Sequence, residues 1–147
     1  MEQSKAKLIK HVEEALELSG MRHFIHKESF DLLSYPDSES ETYADMDIFE
    51  DTIQEITKHA ESYVEVEPIS SREAYIIMED FTDIVHNISK QSALMRALNR
   101  PNPFRQFRYA LEDIELLDEW YDYKNNAYKN LAVRWVEMFL EKEEINI

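Results

Sequence analysis

The sequence predicts an α+β fold in which a small three-stranded antiparallel sheet is packed against a mostly helical C-terminal half. Two runs rich in aromatic and branched residues, RHFIH and FDLLSYP, lie either side of Lys27, Glu28 and Ser29, as the arms of a β-hairpin do; a third run, Tyr63 to Glu67, stops at Pro68. Beyond Pro68 the apolar residues recur at three and four, the helical period, almost to the end of the chain. The 147 residues are 44% hydrophobic and include seven Phe, eight Tyr and two Trp, enough for one sizeable core. Residues 1–147 therefore read as a single domain. Residues 1–68 supply a helix, a hairpin, an acidic linker, a helix and a strand, and 69–147 the helical half.

In chain order, Leu8, Ile9, Val12, Ala15 and Leu16 make residues 2–19 an amphipathic helix. Gly20, the one glycine of the chain, is placed to end it in the left-handed conformation. The hairpin occupies Arg22 to Tyr35, and Pro36 to about Tyr43 forms the acidic linker. Met46, Phe49, Ile53, Ile56 and Ala60 then predict a helix capped by Asp45 or Asp47 and ending near Ala60. Tyr63 to Glu67 joins the hairpin as a third antiparallel strand, which brings the sheet to about the minimum for independent stability.

Ser70 followed by Glu73 matches a capping box and opens a helix through Tyr75, Met78, Phe81, Ile84 and Val85. After a break at Asn87, a short helix runs from Ser89 to about Leu98. Asn99-Arg100-Pro101-Asn102-Pro103 forces a turn, because each proline biases its predecessor away from the α region, and Pro103 can itself begin the next helix, through Leu111. The last helix carries Leu117, Trp120, Tyr121, Tyr128, Leu131, Trp135, Met138 and Phe139 as a broad apolar stripe.

The charge is strongly negative and unevenly spread. Sixteen basic residues face 31 acidic ones, a net of −15 that repels polyphosphate at long range and disfavours nucleic acid as a partner. Asp31 to Glu67 holds twelve acidic residues against one base, Lys58, for a net of −11. Ile84 to Leu111 has Lys90, Arg96, Arg100, Arg105 and Arg108 with no acid at all, a net of +5. The absence of cysteine excludes disulfides, thiolate chemistry and cysteine metal sites. The charged opening MEQSKAKLIKHVEEALEL has no signal-type apolar core and no apolar run elsewhere spans a membrane, so a cytoplasmic location with no membrane association is expected.

The stretch NRPNPFRQFRYA is the most distinctive. Arg105 and Arg108 are helical neighbours, Phe104 and Phe107 flank them, and Arg100 precedes the turn, so cations stand beside aromatic anchors near a helix N-terminus. Arg100, Phe104, Arg105, Phe107 and Arg108 are thus the candidate binding residues, for a phosphate, a carboxylate or an acidic peptide. Pro103 removes one amide donor from that terminus. The competing reading makes both phenylalanines core residues and neutralises the arginines with the chain's own carboxylates, on Glu112 to Asp122.

Signs of catalysis are few. Glu79 and Asp83, or Asp118 and Asp122, share a helical face at a spacing of four and could bind Mg²⁺, but no phosphate-cradling glycine loop accompanies them. His11, His23, His26, His59 and His86 include no metal-ligand spacing, and His23 and His26 point to opposite faces if they lie on a strand. Asp37, Glu39 and Glu41 open like a calcium loop, yet Thr42 takes the glycine position and Ile48 that of the bidentate glutamate. Ser70 and Ser71 read as caps. No catalytic residue, metal site or cofactor is expected.

The order P-I-S-S-R-E-A-Y-I-I-M-E-D-F (Pro68 to Phe81), A-L-N-R-P-N-P-F-R-Q-F-R (Ala97 to Arg108), E-W-Y-D-Y (Glu119 to Tyr123) and R-W-V (Arg134 to Val136) resembles an uncharacterised bacterial family, number 0158 of the UPF series. The resemblance covers roughly Tyr63 to Glu141. It implies a shared fold and a bacterial cytoplasmic setting, places Phe104, Phe107, Trp120, Tyr121 and Trp135 in the family's signature, and brings no activity with it. Where the family has small residues and glycine before the F-x-x-F pair, this chain has Arg100-Pro101-Asn102-Pro103, a stiffer turn.

The functional expectation is a non-catalytic macromolecular interaction module with another protein as partner. The alternatives are nucleic-acid or phosphate-ligand binding through the Arg100 to Arg108 turn, and a metal-dependent enzyme using Glu79 and Asp83. A homo-oligomer is left open.

Overall fold

The computed structural model describes residues 2–37 and 47–147. Most of the predicted acidic linker, with Glu39, Glu41, Thr42 and the cap Asp45, lies outside the described residues. The chain divides into two compact units, Met1–Ile69 with Tyr128–Ile147, and Ser70–Ala127. The architecture is α+β, six α-helices and a three-stranded antiparallel sheet among the described residues, with a helical C-terminal half.

The first unit opens with α1 (Glu2–Glu17), which buries Leu8, Val12, Ala15 and Leu16 on one stripe. Gly20 follows at φ 81°, the left-handed conformation predicted for it. β1 (Met21–His26) then takes the centre of the sheet, between β2 (Leu32–Pro36) and β3 (Tyr63–Val66), so the third run does join the hairpin. In the register His23 pairs with Ser34 and Val66, while Phe24 pairs with Leu33 and Glu65. His23 and Ile25 therefore share the inward face with Val66, and all three are buried. His26 lies on the opposite face, edge-on to Tyr63. His23 serves the fold: its ring nitrogens bond Ser34 Oγ at 2.7 Å and the Leu18 carbonyl at 2.8 Å.

The turn between β1 and β2 is longer than the sequence predicts. Phe30 adopts φ 63° and is only 4% exposed, so it leaves the strand, and β2 starts two residues later. The turn needs a left-handed residue, and with no glycine or asparagine available a buried phenylalanine takes the position, a costly conformation for a bulky side chain that its packing sustains. α2 (Glu50–Lys58) is preceded by a 3₁₀ turn over 47–49, which contains Asp47, so its N-cap is Phe49 with no side-chain cap, and Ala60–Ser62 forms a separate 3₁₀ turn. The Tyr63 hydroxyl donates to Glu55 Oε2 at 2.9 Å, and burial, reinforced by that carboxylate, pushes the phenol up to about 12.

Long-range ion pairs among the described residues fasten this unit. Lys7 reaches Asp31 at 2.7 Å, and Lys27 reaches Glu143 at 2.9 Å. Arg22 grips both oxygens of Glu65, at 3.0 and 2.8 Å, while lying over the rings of Phe24 and Tyr35. The bond to Glu65 is the main cause of the raised pKa of Arg22. Tyr128, Ala132, Val136 and Phe139 from the later part of α6 (Leu117–Lys142) complete the unit's buried residues, with Trp135 stacked on Phe139 at 5.3 Å.

The second unit is all helix. α3 (Ser71–Asp83) begins at the predicted capping box, with both reciprocal bonds between Ser70 and Glu73 in place. α4 (Ile88–Leu98) is capped by Asn87, whose side chain accepts from the Lys90 amide. The two helices run antiparallel and are stitched at both ends: the Tyr75 hydroxyl donates to the Leu98 carbonyl at 3.0 Å, and Gln91 Nε2 donates to the Thr82 carbonyl at 3.1 Å. α5 (Pro103–Asp113) has proline at its first position as predicted. It ends with Glu115 at φ 59° and a bond from the Leu116 amide to the Leu111 carbonyl, the geometry of a left-handed helix cap usually given to glycine. Residues 117–127 of α6 close the unit. Its core is Met78, Phe81, Leu94, Leu98, Phe107 and Leu111 around Trp120, whose ring meets those of Phe81 and Phe107 edge-on at 5.4 and 5.1 Å.

Candidate basic-aromatic surface

The candidate site begins with a backbone constraint. The turn must reverse the chain between α4 and α5 within the residues Asn99 to Asn102, and Asn102 does so at φ 57°, a left-handed conformation that asparagine tolerates better than most residues. Pro103 then fixes the first helical position without needing a donor. Arg100 sits in this turn, exposed. Its backbone amide is spent on the Ala97 carbonyl at 3.3 Å, which leaves the side chain as its functional group.

Along α5 the 3.6-residue repeat sorts the five candidates. Phe107 points inward, 1% exposed, with Leu111 one turn on, and both belong to the core around Trp120. Phe104 is 45% exposed and Tyr109 53%. The adjacent phenylalanines therefore separate: Phe107 anchors the helix and Phe104 faces outward. Arg105 and Arg108 are exposed as well. Arg105 has Tyr109 four residues on, and Phe104 has Arg108, so each cation neighbours an aromatic ring on the helix surface. Tyr109 joins this exposed face without being among the five sequence candidates, although its spacing of four from Arg105 is readable there.

The arginines divide too. Arg108 Nε donates to Glu112 Oε1 at 3.3 Å, one turn along the same helix, with both side chains about half exposed. Among the described residues, Arg96, Arg100 and Arg105 make no ion pair or side-chain hydrogen bond. Internal neutralisation thus accounts for one of the three candidate arginines. The single bond to Glu112 leaves the other donors of Arg108 uncommitted.

The carboxylates of the alternative reading sit in another place. Glu79 and Asp83 do lie at a concavity, of about 240 Å³, between α3 and α4, together with Asp80, Met95, Leu98 and Asn99. Burial, and then the charges of Asp80 and Asp83, raise the nearby Tyr123 hydroxyl above its ordinary pKa. Even so, no group of three or more His, Cys, Asp or Glu side chains among the described residues is arranged to hold a metal ion.

Comparison with known proteins bears on the whole chain. The profile described as Uncharacterised protein family (UPF0158) matches residues 5–146. The chain belongs to this family. The match extends the resemblance read from Tyr63 onward back through α1 and the hairpin. UPF0158 protein PA5073 of Pseudomonas aeruginosa is 32% identical over 73 residues, 49% of this chain and 48% of that protein, so the alignment spans about half the length of this curated relative. No solved structure matches. The family carries no described activity, so membership leaves function to be argued from the residues. Among the described residues no helix is long and apolar enough to cross a membrane.

Proposed function

We propose that this UPF0158 member is a non-catalytic macromolecular recognition module whose contact surface is the turn at Arg100 and the outer face of α5, carrying Phe104, Arg105, Arg108 and Tyr109. A single observation carries the reading. In a chain with 31 acidic residues and a net charge of −15, Arg100 and Arg105 are exposed and meet no carboxylate among the described residues. Arginines grouped without a carboxylate partner beside exposed rings are suited to a ligand from outside. Phe107 supports the surface from within by holding α5 against Trp120.

The enzyme alternative is less well supported. Glu79 and Asp83 share a concavity with Asp80, but no phosphate-cradling glycine loop accompanies them, and like charges four apart on a helix are otherwise only a mild destabilisation. A cytoplasmic site of action belongs to the proposal, supported by the cysteine-free composition and the acidic, charged surface.

Site-specific crosslinking tests the surface. A photoreactive amino acid at position 104, introduced into the protein in its native cells, is expected to give discrete adducts that disappear when Arg100→Glu and Arg105→Glu are added. The same probe at position 61, on the acidic side of the chain, serves as control. Adducts at 104 that survive both charge reversals would contradict the proposal.

A further inference from the structure

We infer that the occupant of this surface is a short acidic protein segment with a hydrophobic or aromatic side chain among its carboxylates, and that it is not a nucleic acid; the inference rests on the recognition reading above and names its ligand class. The first reason is length. On α5 the positive charge is confined to Arg105 and Arg108, and Glu112, Asp113 and Glu115 follow directly. From Pro103 to Arg108 the helix rises only about 7.5 Å at 1.5 Å per residue. A strand of phosphates continuing along the helix would run into three carboxylates, whereas a segment with two or three acidic side chains fits within the tract.

The second reason is the field of the whole protein. A net charge of −15 opposes the approach of a polyanion, and the counterion-release term that dominates nucleic-acid affinity needs many more phosphate contacts than Arg96, Arg100, Arg105 and Arg108 can supply. A peptide with a few carboxylates loses less to that repulsion and gains more from apolar contact.

The third reason is the chemistry of the side chains. The contact between Arg108 and Glu112 is an internal example of a carboxylate docked on this face. Arg100 and Arg105 offer planar, multidentate donors to further carboxylates. Phe104 and Tyr109, each about half exposed, supply the apolar area that a bare anion would leave unused. Aromatic residues and arginine together are the composition of protein-interface hot spots.

Fluorescence polarisation on the full chain decides the matter, with two kinds of labelled probe: peptides in which Asp and Glu alternate with Phe, Leu or Tyr, and a single-stranded RNA of mixed sequence. The expected result is that at least one peptide binds more tightly than the RNA. Arg100→Gln with Arg105→Gln should weaken it about tenfold or more, equivalent to about 1.4 kcal/mol or more. Phe104→Ala should weaken it several-fold, and circular dichroism should show both variants folded. Tighter RNA binding, lost in the double arginine variant, would keep the surface and overturn the ligand class. Binding of neither probe, or binding indifferent to both substitutions, would overturn the inference together with the surface it rests on.

Discussion

The two units treat their cations differently. In the first, Lys7, Arg22 and Lys27 each reach across the sequence to an acid, Asp31, Glu65 and Glu143, and so fasten a helix to a turn, one strand to another, and a turn to the end of α6. In the second, the one arginine pair is local, Arg108 to Glu112 on a single helix, while Arg96, Arg100 and Arg105 meet no acid among the described residues. The second unit obtains its cohesion from Trp120 and the rings around it, from helix caps and from two interhelical hydrogen bonds. Three cations of the first unit thus tie distant segments together, whereas the arginines around the α4–α5 turn do not. The proposed surface rests on the grouping of unpaired Arg100 and Arg105 with the exposed rings of Phe104 and Tyr109.

The largest test of this contrast lies in the core. Phe107→Ala removes a fully buried ring against Trp120 and should cost about 3–5 kcal/mol in urea unfolding, whereas Phe104→Ala, on the other side of the same turn, should cost less than about 1 kcal/mol. Equal losses would mean that the outward ring is also structural. A smaller effect is expected in the first unit. Arg22→Gln breaks a two-pronged pair between strands and should lower stability by about 0.5–1 kcal/mol, discounted for the half-exposed arginine, with the deficit shrinking as salt is added. A deficit that salt leaves untouched would point to lost stacking on Phe24 and Tyr35 in place of lost charge.

Much of the fold was legible because it is written in local chemistry. Gly20, the Ser70-Glu73 capping box, the Asn87 break and Pro103 each act within a few residues, and each sits where the sequence puts it. The misreadings share a different cause. Phe30 in a left-handed turn and Phe49 as a helix cap are residues in positions that their own preferences oppose, so only tertiary packing explains them. Glu115 and Glu144, left-handed and exposed at the ends of α5 and α6, are local instead: each belongs to a helix cap closed by the next residue's amide, Leu116 to Leu111 and Ile145 to Leu140. Within the candidate site, the cluster of cations and rings was readable from spacing. Which ring turns inward was not, because that depends on where Trp120 stands.

The central claim is that Arg100 and Arg105 hold nothing of their own molecule together. The most direct measurement is the unfolding free energy of the Arg100→Gln, Arg105→Gln double variant against the unaltered chain at low ionic strength, where surface charge counts most. Unengaged guanidinium groups predict a difference within about 0.5 kcal/mol. A loss well beyond 1 kcal/mol that fades with added salt would contradict the account, since it would mean that carboxylates of the same chain already occupy them.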